Sequence, residues 1–229
     1  RDTSTIGPDV AFRLPGQIVS EGHEEAWGVV EHSGQVIVAG FTSGVLEGSG
    51  FGKRDMFLAG YGASRTNQWI AQFGTAERDE ANDLAVGRGA ILYVAGTTLG
   101  EMNAGRRLGL EDAILTKRNA KGEELWTRQF GSSDADLGLT VAVDSQGNVV
   151  VSGSTHGRMG ESNWGNGDVF VAQFDSDGRR RWTRQFGSES LDTAVKVATG
   201  PSDTVYLLAY TEGSLGSDGV ESDRELGGL

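Results

Sequence analysis

The phrase headed by Trp69 returns twice. It reads W-I-A-Q-F-G at 69–74 and W-T-R-Q-F-G at 126–131 and 182–187, at intervals of 57 and 56 residues. A fixed period of that length marks a chain built from copies of one supersecondary unit. One copy is too small to bury its own apolar faces, so neighbouring copies must cover each other. Few architectures satisfy that demand.

Other positions keep the same beat. Asp79, Asp136 and Asp192 follow each phrase's Gly by five residues. Apolar triplets come next: Leu84-Ala85-Val86, Val141-Ala142-Val143 and, less purely, Val195-Lys196-Val197. A turn, clearest in Asp144-Ser145-Gln146-Gly147-Asn148, leads to a short strand ending in a small-residue cluster such as Val38-Ala39-Gly40, with Thr42, Thr98, Thr155 or Thr211 just beyond it. Long loops over 44–54, 100–111, 157–167 and 213–222 follow. In the first three units Asp55, Asp112 and Asp168 then open another strand, and a hairpin such as Asp175-Ser176-Asp177-Gly178 returns to the Trp strand.

Each unit therefore reads as four short strands, rich in Val, Ile and aromatics, with no helical period. The 36 glycines beside only 3 prolines in 229 residues suit many tight turns. The fold class expected is all-β: a β-propeller of about 56-residue four-stranded blades. Expected boundaries are a strand over 10–18 belonging to a preceding or closing blade, then blades over 19–74, 75–131 and 132–187. A partial fourth blade covers 188–229. Two arrangements stay open, a closed ring of about four blades and part of a larger propeller.

Trp69, Trp126 and Trp182, with Phe73, Phe130 and Phe186, have the size to fill space between blades. The Gly after each Phe is expected to supply a positive φ. Asp55, Asp112 and Asp168 suit turn capping better than a cation site. Residues repeated in every blade point to folding, because one active site needs one copy.

The pattern W-T-R-Q-F-G, Asp, V-A-V-D-S-Q-G-N-V-V-V-S-G-S-T and G-D-V-F-V-A-Q-F-D-S-D-G closely resembles the SBBP repeat, a family named after seven-bladed β-propellers. The resemblance covers roughly 17–213 and is strongest over 69–187. The first unit departs from it, with a shorter turn at Glu31-His32-Ser33-Gly34 and Leu14 in the place of Trp. The resemblance implies a bacterial-type, extracytoplasmic domain of a secreted or surface protein, and supplies no catalytic motif.

Net charge is −12, which disfavours a nucleic-acid partner. The absence of cysteine removes disulfides and thiolate metal sites. No apolar run approaches the roughly 18 residues of a membrane-spanning helix. The sequence opens on Arg1, pointing to a start removed by processing or lying upstream. No cofactor or metal is expected: Asp175-x-Asp177-Gly178 lacks the further acidic ligands of a calcium loop. Gly48-Ser49-Gly50-Phe51-Gly52-Lys53 fails the P-loop spacing.

The long loops vary most and share one face. Their Lys53, Arg54, Arg106, Arg107, Arg158 and Trp164 are the candidate ligand or partner residues. No catalytic residue stands out. The expected function is a non-enzymatic scaffold or protein-interaction module within a larger assembly. Alternatives are carbohydrate or small-ligand binding on the loop face, and a propeller hydrolase or lyase.

Overall fold

The computed structural model describes residues 18, 20–48, 50–62, 67–102, 107–160 and 162–214. The expected strand over 10–18 falls outside these residues except for Ile18, as do Leu14, Arg106 and 215–229.

The first sheet contains β1 (Glu24–His32), β2 (Gln35–Thr42), β3 (Asp55–Tyr61) and β4 (Asn67–Phe73). The second contains β5 (Asp79–Val86), β6 (Leu92–Thr98), β7 (Asp112–Arg118) and β8 (Glu124–Phe130). The third contains β9 (Asp136–Val143), β10 (Val149–Thr155), β11 (Asp168–Phe174) and β12 (Arg180–Phe186). The fourth shows two described strands, β13 (Asp192–Thr199) and β14 (Val205–Thr211). Neighbours in every sheet are consecutive and antiparallel, as short hairpin connections allow. This is the four-stranded blade of a β-propeller, used about four times.

Both faces of a middle blade are covered, so its second strand is buried along its whole length, small hydroxyl side chains included; every residue of β6 and β10 is buried. Successive sheets stack face to face. Ile37, Ala39, Leu58 and Phe73 of the first meet Leu84, Leu92, Val94 and Ile114 of the second. Tyr93, Ala95, Leu115 and Phe130 then meet Val141, Val149, Val151 and Phe170 of the third. Val150 and Val171 meet Val197, Val205 and Leu207 of the fourth.

Trp69, Trp126 and Trp182 are partly buried against these three clusters in turn. Trp126 also donates its indole N–H to the Ser176 carbonyl of the next blade, at 3.2 Å. Phe73 and Phe130 are buried, whereas Phe186 is exposed. Phe130 has Phe170 of the next blade's third strand edge-on against it. No third strand of the fourth sheet stands opposite Phe186 among the described residues.

The glycine after each Phe corrects the sequence reading. Gly74, Gly131 and Gly187 are absent from the positive-φ residues. Crowding requires them instead. A Cβ on Gly131 would lie 2.5 Å from Asp136 Oδ2 and 3.2 Å from Asp112 Oδ1. Positive φ occurs at the hairpin glycines, such as Gly147 (φ 89°) and Gly178 (φ 76°).

The first strand of each blade starts earlier than its apolar triplet and carries a bulge. Register shifts by one residue between Ala26 and Gly28, Ala81 and Asp83, and Ala194 and Lys196. In β9 the shift leaves Leu139 unpaired between Gly138 and Thr140. The four bulged residues are thus Trp27, Asn82, Leu139 and Val195. A bulge bends a strand and re-aims one side chain.

Candidate interaction face

Pairing places Glu24 opposite Thr42 and Thr42 opposite Asp55. The long loops and the start of each blade's first strand therefore share one end of the stack. Two tie points repeat there. Asp79 N–H donates to the Arg54 carbonyl at 3.0 Å, Asp136 N–H to Glu111 at 2.8 Å and Asp192 N–H to Gly167 at 2.8 Å. Each loop is thereby stitched to the next blade.

The second tie uses the Gln of the repeated phrase. Gln129 accepts the Met102 N–H at 2.9 Å and donates to the Gly100 carbonyl at 2.9 Å and Asp112 Oδ2 at 2.6 Å. Asp112 Oδ2 also accepts the Leu108 N–H at 2.9 Å. Gln72 and Asp55 hold Leu46 and Phe51 in the same way, and Gln185 and Asp168 hold Met159 and Trp164. Asp55, Asp112 and Asp168 are almost fully buried. Asp112 Oδ1 also accepts the Gly109 N–H at 3.0 Å, whereas Asp55 Oδ1 and Asp168 Oδ1 have no partner among the described residues; the bonds made through the Oδ2 atoms are what fix each loop's shape.

The consequence faces solvent. Phe51, Leu108 and Trp164 each stand four residues before the buried Asp, and all three are exposed. Sequence reasoning found Trp164 for its aromatic character. It missed Phe51 and Leu108, although counting back four from each Asp would have revealed them.

A second set of carboxylates lies beneath. Asp136 accepts the Thr155 hydroxyl and the Ser132 N–H and hydroxyl. Asp79 is held likewise by Thr98 and Thr75. Burial pushes the Asp79 and Asp136 carboxyls above the ordinary aspartate value, with neighbouring Asp55 and Asp112 adding to the rise. Among the described residues, no group of three or more His, Cys, Asp or Glu has metal-binding geometry.

The basic candidates do not converge. Lys53 pairs with Glu77 at 2.7 Å, and Arg107 bonds its own loop's carbonyls at Gly109 and Leu110. Arg158 reaches only the Gly160 carbonyl at 3.4 Å. Arg54 lies over the Phe41 ring, 4.5 Å from its centroid, and pairs with Glu80, which Arg78 also holds at 2.8 Å. That network borders a cleft of about 230 Å³ between the first three sheets, lined in part by Trp27, Asn82, Glu111 and Leu139. Three of the bulged residues thus meet at its wall. At the opposite end of the stack, His32, Arg88, Asp144 and Ser145 help to line a shallow opening of about 540 Å³.

Residues 125–158 match the family model described as SBBP, beta-propeller repeat. That segment of the chain matches the SBBP repeat. The matched segment runs from the Trp strand β8 of the second blade to Arg158 in the third blade's long loop, so it crosses a blade boundary.

Two curated relatives extend the comparison. The chain is similar to the regulatory protein FlaEY of Caulobacter vibrioides, 31% identical over 123 residues, covering 48% of this chain and 13% of that protein. It is also similar to a WD repeat-containing protein of Acanthamoeba polyphaga mimivirus, 24% identical over 136 residues, covering 50% of this chain and 10% of that protein. The matches therefore span only a small part of these relatives' lengths. No helix among the described residues is long and apolar enough to cross a membrane.

Proposed function

We propose that this chain is a non-enzymatic protein-interaction module presenting its long-loop face to a protein partner. One observation carries the reading. Phe51, Leu108 and Trp164 occupy the same position in three successive blades, stay exposed, and are held by buried Asp–Gln pairs. Large apolar side chains on a rigid support lose little entropy on docking, which is what an interface anchor requires. A regulatory protein and a WD repeat-containing protein among the relatives are consistent with such a role. An extracytoplasmic setting is part of the proposal and rests on the SBBP resemblance alone.

The test is a photo-crosslinking amino acid at position 164 in cells that make the protein, with position 146 at the opposite end as control. A discrete protein adduct from 164 and none from 146 is expected. Adducts of equal yield from both positions, or none from 164, would sink the reading.

A second reading has one observation in its favour. The cleft beside Trp27 combines an indole with Glu111, Asn82 and the Arg54–Glu80–Arg78 network. An aromatic platform with fixed polar groups suits a sugar or another small polar ligand. Glycan binding lost in Trp27→Ala, with position 164 silent to crosslinking, would favour this alternative.

A further inference from the structure

The third blade's long loop carries a pair of residues that the repeat does not ask for. Asn166-Gly167 is the only Asn-Gly step in the 229-residue sequence. Gly167 bridges to Leu191, as Arg54 bridges to Arg78 and Glu111 to Ala135 in the earlier loops. The position therefore accepts Arg and Glu, and the fold does not require glycine there. Gly167 is absent from the positive-φ residues. The closest atom to a Cβ on Gly167 would be Leu191 Cδ1 at 2.7 Å, the end of a flexible side chain.

Strand pairing brings an imidazole to the same step. Thr155 lies opposite Asp168, so His156 and Gly167 are the next residues across the loop mouth. His156 Cε1 and Nδ1 stand 3.5 and 3.8 Å from where a Gly167 Cβ would lie. The His156 N–H is anchored to the Ala135 carbonyl at 2.8 Å, and the His156 carbonyl accepts Asn163 Nδ2 at 3.5 Å. The corresponding facing residues are Ser43 with Arg54 and Leu99 with Glu111. Histidine and Asn-Gly thus meet in one blade only, whereas the folding residues recur from blade to blade.

Asn166 and His156 are both exposed, so water reaches the step. This exposure belongs to the loop position. Lys53 and Leu110, which hold the place of Asn166 in the first two loops, are exposed although a four-stranded blade follows each of them.

We propose that Asn166 is a self-modification site, deamidated through the Gly167 backbone with His156 as general base. The Gly167 amide nitrogen attacks Asn166 Cγ and passes its proton to the imidazole. The new C–N bond closes a succinimide. The side-chain nitrogen leaves as ammonia, carrying the proton that the imidazole returns. Water then opens the ring at either carbonyl, giving aspartate or isoaspartate, and no oxidant or reductant takes part. Glycine on the C-terminal side favours the attack because no Cβ shields its nitrogen. An imidazole suits the proton transfer because it gains and loses a proton near neutral pH.

Both products alter the loop face. Each adds one negative charge close to Trp164, whose N–H is held by Asp168 Oδ2 at 2.7 Å. Isoaspartate also lengthens the main chain by one carbon, just ahead of the Gly167 carbonyl that accepts the Asp192 N–H at 2.8 Å. The chemistry itself does not depend on the docking role of Trp164.

The test follows the full chain at neutral pH and body temperature by intact mass and peptide mapping. A synthetic peptide spanning 162–170 serves as the clock, beside the variants His156→Gln and Asn166→Gln. Thermal unfolding establishes that both variants fold. A gain of one mass unit is expected at Asn166, divided between aspartate and isoaspartate, with Asn148 and Asn163 unchanged. His156→Gln should slow the gain by about tenfold, as loss of a general base does. Asn166→Gln should abolish it. A folded chain that keeps Asn166 while the peptide converts, a His156→Gln rate equal to that of the unmodified chain, or a gain that persists in Asn166→Gln would overturn the proposal.

Discussion

Single residues show how far one repeat position can vary while its job persists. Tyr61, Arg118 and Phe174 occupy the same place at the end of each blade's third strand. Tyr61 packs beside Ile18, and the Phe174 ring lies 5.0 Å from that of Phe130. Arg118 does the aromatic's work with a guanidinium, stacked over the Phe73 ring at 3.2 Å. It donates to the Gly122 carbonyl and pairs with Glu124, but its Nε has no partner. Burial lowers the Arg118 pKa to about 10. A buried cation with one unmet donor costs more than a ring of similar shape. Arg118→Phe should therefore raise stability by about 1–2 kcal/mol, read as a higher denaturation midpoint. A fall of that size would mean that the Glu124 pair outweighs desolvation.

Within each blade, the first strand and the loop it anchors behave as one unit. The Asp that opens β9 is both the hydrogen-bond hub of the loop and a titrating switch on its stability. Because burial raises its folded pKa, the folded state favours the protonated form. Its contribution is fully present below the unfolded value of about 4 and is lost as pH rises through the raised folded value. Asp136→Asn removes that titration. Urea unfolding from pH 4 upward should then fall less steeply in the variant than in the unmodified chain. Equal slopes would show that the hydroxyl and amide donors around Asp136 cancel the burial effect. The β13 element has the same opening Asp, yet Phe186 above it is exposed, so the same sequence signal meets a different environment.

At the scale of the whole molecule, stability is a sum over blades and the junctions between them. The second blade has both faces covered, while the third leaves Phe186 open and the fourth exposes its forward face. Amide hydrogen exchange should therefore be fastest in β13–β14 and slowest in β6 and β10. Uniform exchange across the fourteen described strands would mean that the stack opens only globally. Period, blade content and the chain's all-β class were legible from Trp69, Trp126 and Trp182 and the turns between them. Such signals are local: alternation, turn residues and spacing act within one unit. The role of Gly131 was not legible, because its reason is the approach in space of the Asp136 and Asp112 carboxylates, not its own φ. Nor was the loop-face role of Phe51 and Leu108, since exposure depends on how the Asp–Gln ties fold each loop back. The bulges at Trp27 and Asn82 escaped for the same reason, being set by pairing with β2 and β6. Sequence alone determined the repeating unit, because each strand and turn is specified by nearby residues. Only tertiary structure decided which copies of one motif are buried and which are open, because burial belongs to the neighbour and not to the residue.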